Sequence, residues 1–250
     1  MAKNKLAKFA DMKEIPFVFQ YPFSVLREQG FALRGHWHSD FFHNDNPIVL
    51  ELGCGKGEYT VDLAMRNPGR NYIGIDIKGA RMWTGATRAR ELGLPNVAFV
   101  RTSIELLESF FAPGEVAEIW ITFADPQMKK QRKRLTSARF LELYRNVLAP
   151  GGRINLKTDS LFLYTYTRRL CQANPQALTI VHDVPDLYAL TADEAPTPLD
   201  IRTHYEQQWL DRGLTIKFLQ YAFDTSAPVT EIDDSIIERD TYRSYSRGHL

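Results

Sequence analysis

Five short apolar runs separated by helix-like stretches constrain this chain more than any other feature. They are IVLELG (48–53), NYIGID (71–76), NVAFV (96–100), EIWITFA (118–124) and RINLKTD (153–159). Each is strand-sized and mostly apolar on both faces, as a strand covered on both sides must be. Between them, 58–66, 80–92, 103–111 and 136–148 carry apolar residues three and four apart, the helical spacing, and Thr136 or Ser137 supplies an N-cap for the last. The alternation predicts a doubly wound, mostly parallel, Rossmann-like α/β sheet. A further helix over 160–173 and two late strands, LTIVHDV (178–184) and LTIKFLQYAF (214–223), complete it.

The flanks read differently. Residues 1–45 predict a basic, partly disordered arm, with Lys3, Lys5, Lys8 and Lys13 against Asp11, then an extended segment packed on the body. The α/β domain spans 46–224. Residues 225–250, rich in Asp, Ser, Tyr and Arg and without any period, form a C-terminal tail. At 250 residues and 44% hydrophobic, the chain can bury a large core. No apolar run approaches the ~18 residues of a membrane span. The start lacks the apolar stretch of a secretory leader. Cys54 and Cys171 make neither a disulfide framework nor a zinc cluster, so a cytoplasmic protein is expected. The net charge of +1 means that any nucleic-acid binding comes from local patches.

ELGCGKGEYT (51–60) follows the first strand and opens a helix. Gly53, Gly55 and Gly57 let the backbone approach a ligand, and the helix start offers free N–H groups. The second strand ends at Asp76, 19 residues past Gly57, where a carboxylate can accept from ribose hydroxyls. The turn is GxGxG rather than the dinucleotide GxGxxG. Glu51, just before it, would repel a pyrophosphate and suit a cationic amino group. That favours S-adenosylmethionine over NAD. Ser103 and Ile104, after the third strand, are candidate adenine contacts and equally a helix cap and a core residue. Cys54 reads as a small loop residue, and His36, His38, His43, His182 and His249 have no metal-ligand spacing.

The fourth strand stops at Asp125-Pro126, on the edge of the sheet where ligands bind. Asp125 is the candidate catalytic residue; a plain turn role before proline competes. Lys129, Lys130, Arg132, Lys133 and Arg134 then put five cations in six positions, a phosphate-binding stretch beside the cofactor. Asp159 ends the fifth strand and is expected in the same cleft as Asp76 and Asp125. Mg²⁺ competes for these acids but ranks below neutralisation by the neighbouring cations. Thr203 and Glu206 form a capping-box pattern that also places a hydroxyl and a carboxylate over a substrate base.

LELGCGKGEYT, GIDIKGAR, FADPQMKKQRKRLTSARFLELYRNVLAPGG, LKTD and TxYE, in this order and spacing over about residues 46–223, resemble the bacterial tRNA (guanine-N7-)-methyltransferase family. The resemblance implies a class I methyltransferase sheet, S-adenosylmethionine as cofactor and methylation of a guanosine N7 in the tRNA variable loop. It implies cofactor contacts at Glu51, Asp76, Ser103 and Asp125, and substrate contacts at Lys129, Asp159 and 203–206. Arg132 and Arg134 join the substrate set through the basic run. It also implies that Asp125 is catalytic. Neither an obligatory protein partner nor a resident metal is expected. The sequence departs from the family at the loop after Asp125. The usual DPW and loop histidine are absent, Gln127 and Met128 follow the proline, and the loop is about two residues shorter. Ser103 stands where the family commonly has Asp. Three other readings stay open: a tRNA-binding protein of this fold without catalysis, a methyltransferase for another RNA base, and an NAD-dependent oxidoreductase.

Overall fold

The computed structural model describes residues 2–191 and 201–242, with side chains from Leu6 onward. The end of the C-terminal tail and the side chains of Lys3 and Lys5 lie outside the described residues. Eight strands form one sheet: β1 (Val18–Gln20), β2 (Ile48–Leu52), β3 (Asn71–Ile75), β4 (Val97–Arg101), β5 (Val116–Thr122), β6 (Leu148–Thr158), β7 (Leu178–Val184) and β8 (Lys217–Phe223). The helices are α1 (Ala2–Lys13), α2 (Phe23–Gln29), α3 (Glu58–Arg66), α4 (Gly79–Glu91), α5 (Leu107–Phe110), α6 (Ala138–Arg145), α7 (Leu161–Ala173) and α8 (His204–Leu210). The strand order is β1-β4-β3-β2-β5-β6-β8-β7, parallel except for β8, which runs antiparallel to both β6 and β7. The doubly wound, mostly parallel sheet is therefore present.

The chain leaves β2 toward β3 and β4, then crosses to the other side of β2 to enter β5. The ends of β2 and β5 thus diverge, and this switch point opens a crevice at the carboxyl edge. All five β2 residues are buried because helices cover both faces. Leu50 and Leu52 join the core beneath α5, α6 and α7, while Val49 packs with Tyr59, Met82 and Phe99 toward α3 and α4. Glu51 shares the Val49 face and is the one carboxylate that this strand buries.

Two local expectations give way. Residues 148–152, which the sequence leaves as a turn between the helical stretch 136–148 and the strand 153–159, lie within β6: Leu148 pairs with Val116 and Arg153 with Glu118, so the residues between them bulge from the ladder. Residues 2–13 form a helix rather than an unordered tip. Phe9 and Met12, three apart, turn inward, and Asp11 accepts from the Trp83 indole on α4. The chain then adds β1 to the sheet edge through Val18↔Phe99 pairing. Phe19, Phe31, Trp37, Phe41 and Phe42 form an aromatic cluster against Phe110 and Phe111.

Candidate functional site

The floor of the crevice is the loop 53–57. The N–H groups of Gly53 and Cys54 both donate to the Ile75 carbonyl, at 2.8 and 3.0 Å, which folds the loop over the end of β3. Gly53, Gly55 and Gly57 all have left-handed backbones, with φ of 76°, 55° and 69°. At Gly57 the space is closed as well, because a Cβ would meet the Phe99 ring at 2.7 Å. Asp76 organises the loop: Oδ2 accepts from Gly55 N at 2.9 Å and Oδ1 from Lys78 N at 2.7 Å. Each oxygen keeps a further lone pair for a hydroxyl.

Glu51 lies beneath this loop. The Thr60 backbone N–H donates to Oε2 at 2.8 Å, the Thr60 hydroxyl donates to the same oxygen, and the Thr122 hydroxyl donates to Oε1 at 2.7 Å. Burial outweighs these donors and pushes the carboxyl up to about 7. The same burial holds the Cys54 thiol well above its ordinary value, so Cys54 is inert filling rather than a nucleophile.

Glu51, the glycine loop, Tyr59, Asp76, Asp125, Thr203, Tyr205 and Trp209 line a cleft of about 500 Å³. A neighbouring pocket of about 430 Å³ shares Gly53, Asp76, Ile77 and Ile104 with it and adds Ser103 and Phe140. Ser103 and Ile104 thus stand where the sequence places an adenine contact. The donor set fits S-adenosylmethionine: apolar faces for a base, Asp76 for a ribose, and Glu51 for a cationic amino group. Asp125 is exposed and follows β5 by three residues; its Oδ1 accepts from Gln127 N at 2.9 Å, leaving the carboxylate held at the mouth. Phe123 and Gln127, on either side of it, both have positive φ, 50° and 47°, so this short loop is bent where the chemistry is expected.

The basic run divides. Lys129 and Lys130 line a third cavity with Asp125, and Lys133 lines the cleft. Arg132 is exposed and lines neither. Arg134 corrects the expectation of a phosphate contact, because its side chain is 0% exposed. It donates to the carbonyls of Pro126 (2.9 Å) and Gln127 (3.3 Å), pairs with Asp234 (2.8 Å) and lies over Tyr166 at 4.0 Å. It ties the loop to the body in place of reaching out.

Asp159 is also drawn away. It is 1% exposed, and the Tyr242 hydroxyl donates to its Oδ2 at 2.6 Å, so it does not share the cleft with Asp76 and Asp125. Thr203 lines the cleft, but Glu206 is 0% exposed and closes a capping box on Thr203. Glu206 pairs with Lys157 Nζ at 2.8 Å and accepts from the Tyr188 hydroxyl at 2.7 Å. Sequence reasoning missed Tyr59, Arg81 and Trp209 as cleft residues and reached Tyr205 only as part of the stretch 203–206. The T-x-Y-E pattern held a signal for Tyr205, since a capped helix that brings Thr203 to a cleft brings its neighbours too. Among the described residues no cluster of three His, Cys, Asp or Glu side chains is arranged for a metal.

The family model "Methyltransf_4: Putative methyltransferase" matches residues 45–219. The tRNA (guanine-N(7)-)-methyltransferase of Porphyromonas gingivalis is 60% identical over 95% of this chain and 97% of its own length. That of Bacteroides thetaiotaomicron is 54% identical over 99% and 96%, and that of Listeria monocytogenes (serovar 1/2a) is 35% identical over 76% and 86%. Among solved structures, the 16S rRNA methyltransferase KamB superposes with a TM-score of 0.57 at 15% identity, covering 74% of this chain and 92% of its own. A 16S rRNA (adenine(1408)-N(1))-methyltransferase variant from Catenulisporales acidiphilia, solved with cosubstrate SAM, gives 0.55 at 17%, covering 74% and 89%. These two share the fold, which is that of the class I methyltransferases. A glycine-floored switch-point cleft and relatives matched along nearly their whole length lead to one conclusion: this chain belongs to the tRNA (guanine-N(7)-)-methyltransferase family.

Proposed function

We propose that the chain methylates N7 of a variable-loop guanosine in tRNA, with S-adenosylmethionine as donor. The observation that carries this reading is the place of Asp125. It borders both the glycine-floored cleft and the cation-lined cavity beside it, so one carboxylate meets cofactor space and phosphate space together. Family membership supports the substrate, and a tRNA substrate supports a cytoplasmic location. No helix among the described residues is long and apolar enough to cross a membrane.

S-adenosylmethionine supplies a methyl group already activated on a sulfonium. Guanine N7 offers an in-plane lone pair and carries no proton, so the protein needs no general base and its work is positioning. Asp76 takes the ribose hydroxyls and Glu51 the amino group. Tyr205 and Trp209, both half-buried at the cleft, offer flat faces to a splayed base. Asp125 orients the guanine and favours the positive charge that develops on its imidazole ring. The missing loop histidine removes no step from this scheme. Arg134 gives the shortened loop its own brace.

The test is methyl transfer from labelled S-adenosylmethionine to unmodified tRNA, with nucleoside mass spectrometry. The expected product is 7-methylguanosine. A different methylated nucleoside retargets the site to another base, cofactor binding with no product points to another substrate or a missing partner, and neither product nor cofactor binding points to an RNA binder without catalysis. For Asp125→Ala, the expected loss in kcat is on the order of 10²-fold, the scale of deleting one preorganised charge-stabilising group. Unchanged turnover overturns the role given to Asp125.

A further inference from the structure

The cavity on the far side of Asp125 is built partly by the C-terminal segment. It measures about 310 Å³ and is lined by Asp125, Gln127, Met128, Lys129, Lys130, Arg239 and Asp240. The last two lie beyond the residues that the family model matches, which end at 219. The segment is anchored rather than loosely laid. Asp240 accepts from the Ser160 hydroxyl and from Phe162 N (3.1 Å) at the start of α7, so its carboxylate is engaged inward. Asp234 pairs with the buried Arg134, Gln131 donates to the Ile232 carbonyl at 2.7 Å, and Ile237 is buried in the core. These anchors fix residue 239 beside the catalytic loop. Arg239 itself is exposed and, like Lys129 and Lys130, has no ion pair among the described residues.

We propose that Lys129, Lys130 and Arg239 form a phosphodiester-binding subsite that holds the RNA backbone next to the guanosine presented to Asp125. The subsite rests on the methyltransferase reading and adds the C-terminal segment to it. Three unpaired cations around one concavity suit a polyanion, and a guanidinium can grip a phosphate through two hydrogen bonds. Such a contact positions the RNA and reads no base. Arg239 acts by charge at the substrate, so its removal weakens RNA binding and spares the cofactor.

The experiment compares Arg239→Gln, Arg239→Lys and, as a control outside the cavity, Arg169→Gln, with unmodified tRNA transcript as probe. For Arg239→Gln the expected result is a KM for tRNA raised about fivefold or more and a log–log salt slope shallower by about one. Affinity for S-adenosylmethionine and the melting temperature stay at wild-type values. Arg239→Lys, which keeps the charge but not the two-pronged grip, restores the salt slope and part of the KM, and Arg169→Gln leaves both unchanged. An Arg239→Gln enzyme with wild-type KM and salt slope overturns the proposal. A lowered melting temperature with weakened cofactor affinity overturns it too, since Arg239 would then support the fold. A wild-type protein that methylates no tRNA refutes the methyltransferase reading itself, a result distinct from either.

Discussion

Glu51 accepts three hydrogen bonds and still titrates near 7, because taking a carboxylate out of water costs more than these donors return. Its ordinary value is 4.5 and its folded value about 7, so between them the folded state binds the extra proton. Stability from this group is full below pH 4.5 and is lost as pH rises through about 7, a change of about 3 kcal/mol. A cationic amino group beside Glu51 prefers the carboxylate, so cofactor affinity rises over the same window. Glu51→Gln should flatten the pH dependence of the ligand-free melting temperature across it and weaken S-adenosylmethionine by about tenfold or more. Melting curves and calorimetry over pH check both; a wild-type curve flat through this range refutes the argument. Glu51 was legible in the sequence as an acid at a strand end before glycines. Its hydroxyl partners were not, because Thr60 and Thr122 come from other elements. The basic run shows the opposite limit. Nothing in the KKQRKR stretch distinguishes Arg134, which turns inward, from Lys133, which lines the cleft, since a loop imposes no period on its side chains.

α8 shows how an element can be read correctly and one of its residues wrongly. The T-x-x-E pattern announced the capping box, which the structure contains. The functional reading of Glu206 fails because the buried Lys157, at 2.8 Å, claims its carboxylate. Lys157 also donates to the Ile201 carbonyl at 2.8 Å, so this one ammonium ties β6 to the start of α8 and sets where Thr203 and Tyr205 meet the cleft. Removing one partner strands a buried charge. Lys157→Met should therefore cost about 3–5 kcal/mol by urea denaturation. The double change Lys157→Met with Glu206→Leu should cost clearly less than the sum of the two singles. Additive losses would mean the two side chains are not coupled. Thr203→Ala loses only the cap, about 1 kcal/mol. Most strands and helices fell where apolar spacing put them, because periodicity reports burial directly. The N-terminal helix escaped because, among its described side chains, the apolar ones that turn inward are the half-buried Phe9 and the buried Met12, set among lysines and alanines.

Both flanks of the chain return to one core, although the motifs occupy only its middle. Leu26, Phe31, Trp37 and Phe42 from the first flank and Ile237 from the last are buried in the same cluster as Leu50, Ile121 and Leu156. Trp37 is the clearest case: it is fully buried, its indole N–H donates to the Phe110 carbonyl at 3.0 Å, and its ring stacks on Phe111 at 5.6 Å. Trp37→Ala should cost about 3–5 kcal/mol, the usual range for emptying an aromatic site. The flanks also satisfy polar groups of the middle. Without Asp234 the buried Arg134 guanidinium loses its carboxylate, and without Asp240 the Ser160 hydroxyl and the Phe162 N–H lose theirs. A fragment of residues 46–224 would thus expose the apolar face under β2 and β5, a loss comparable to the whole stability of a domain, and take the carboxylate from a buried cation at a further cost of about 3–5 kcal/mol. It should show no single cooperative melt and should bind a hydrophobic dye where the full chain does not. A fragment that melts cooperatively at the full-length midpoint would instead show that the motif-bearing middle folds alone and that both flanks are additions to it.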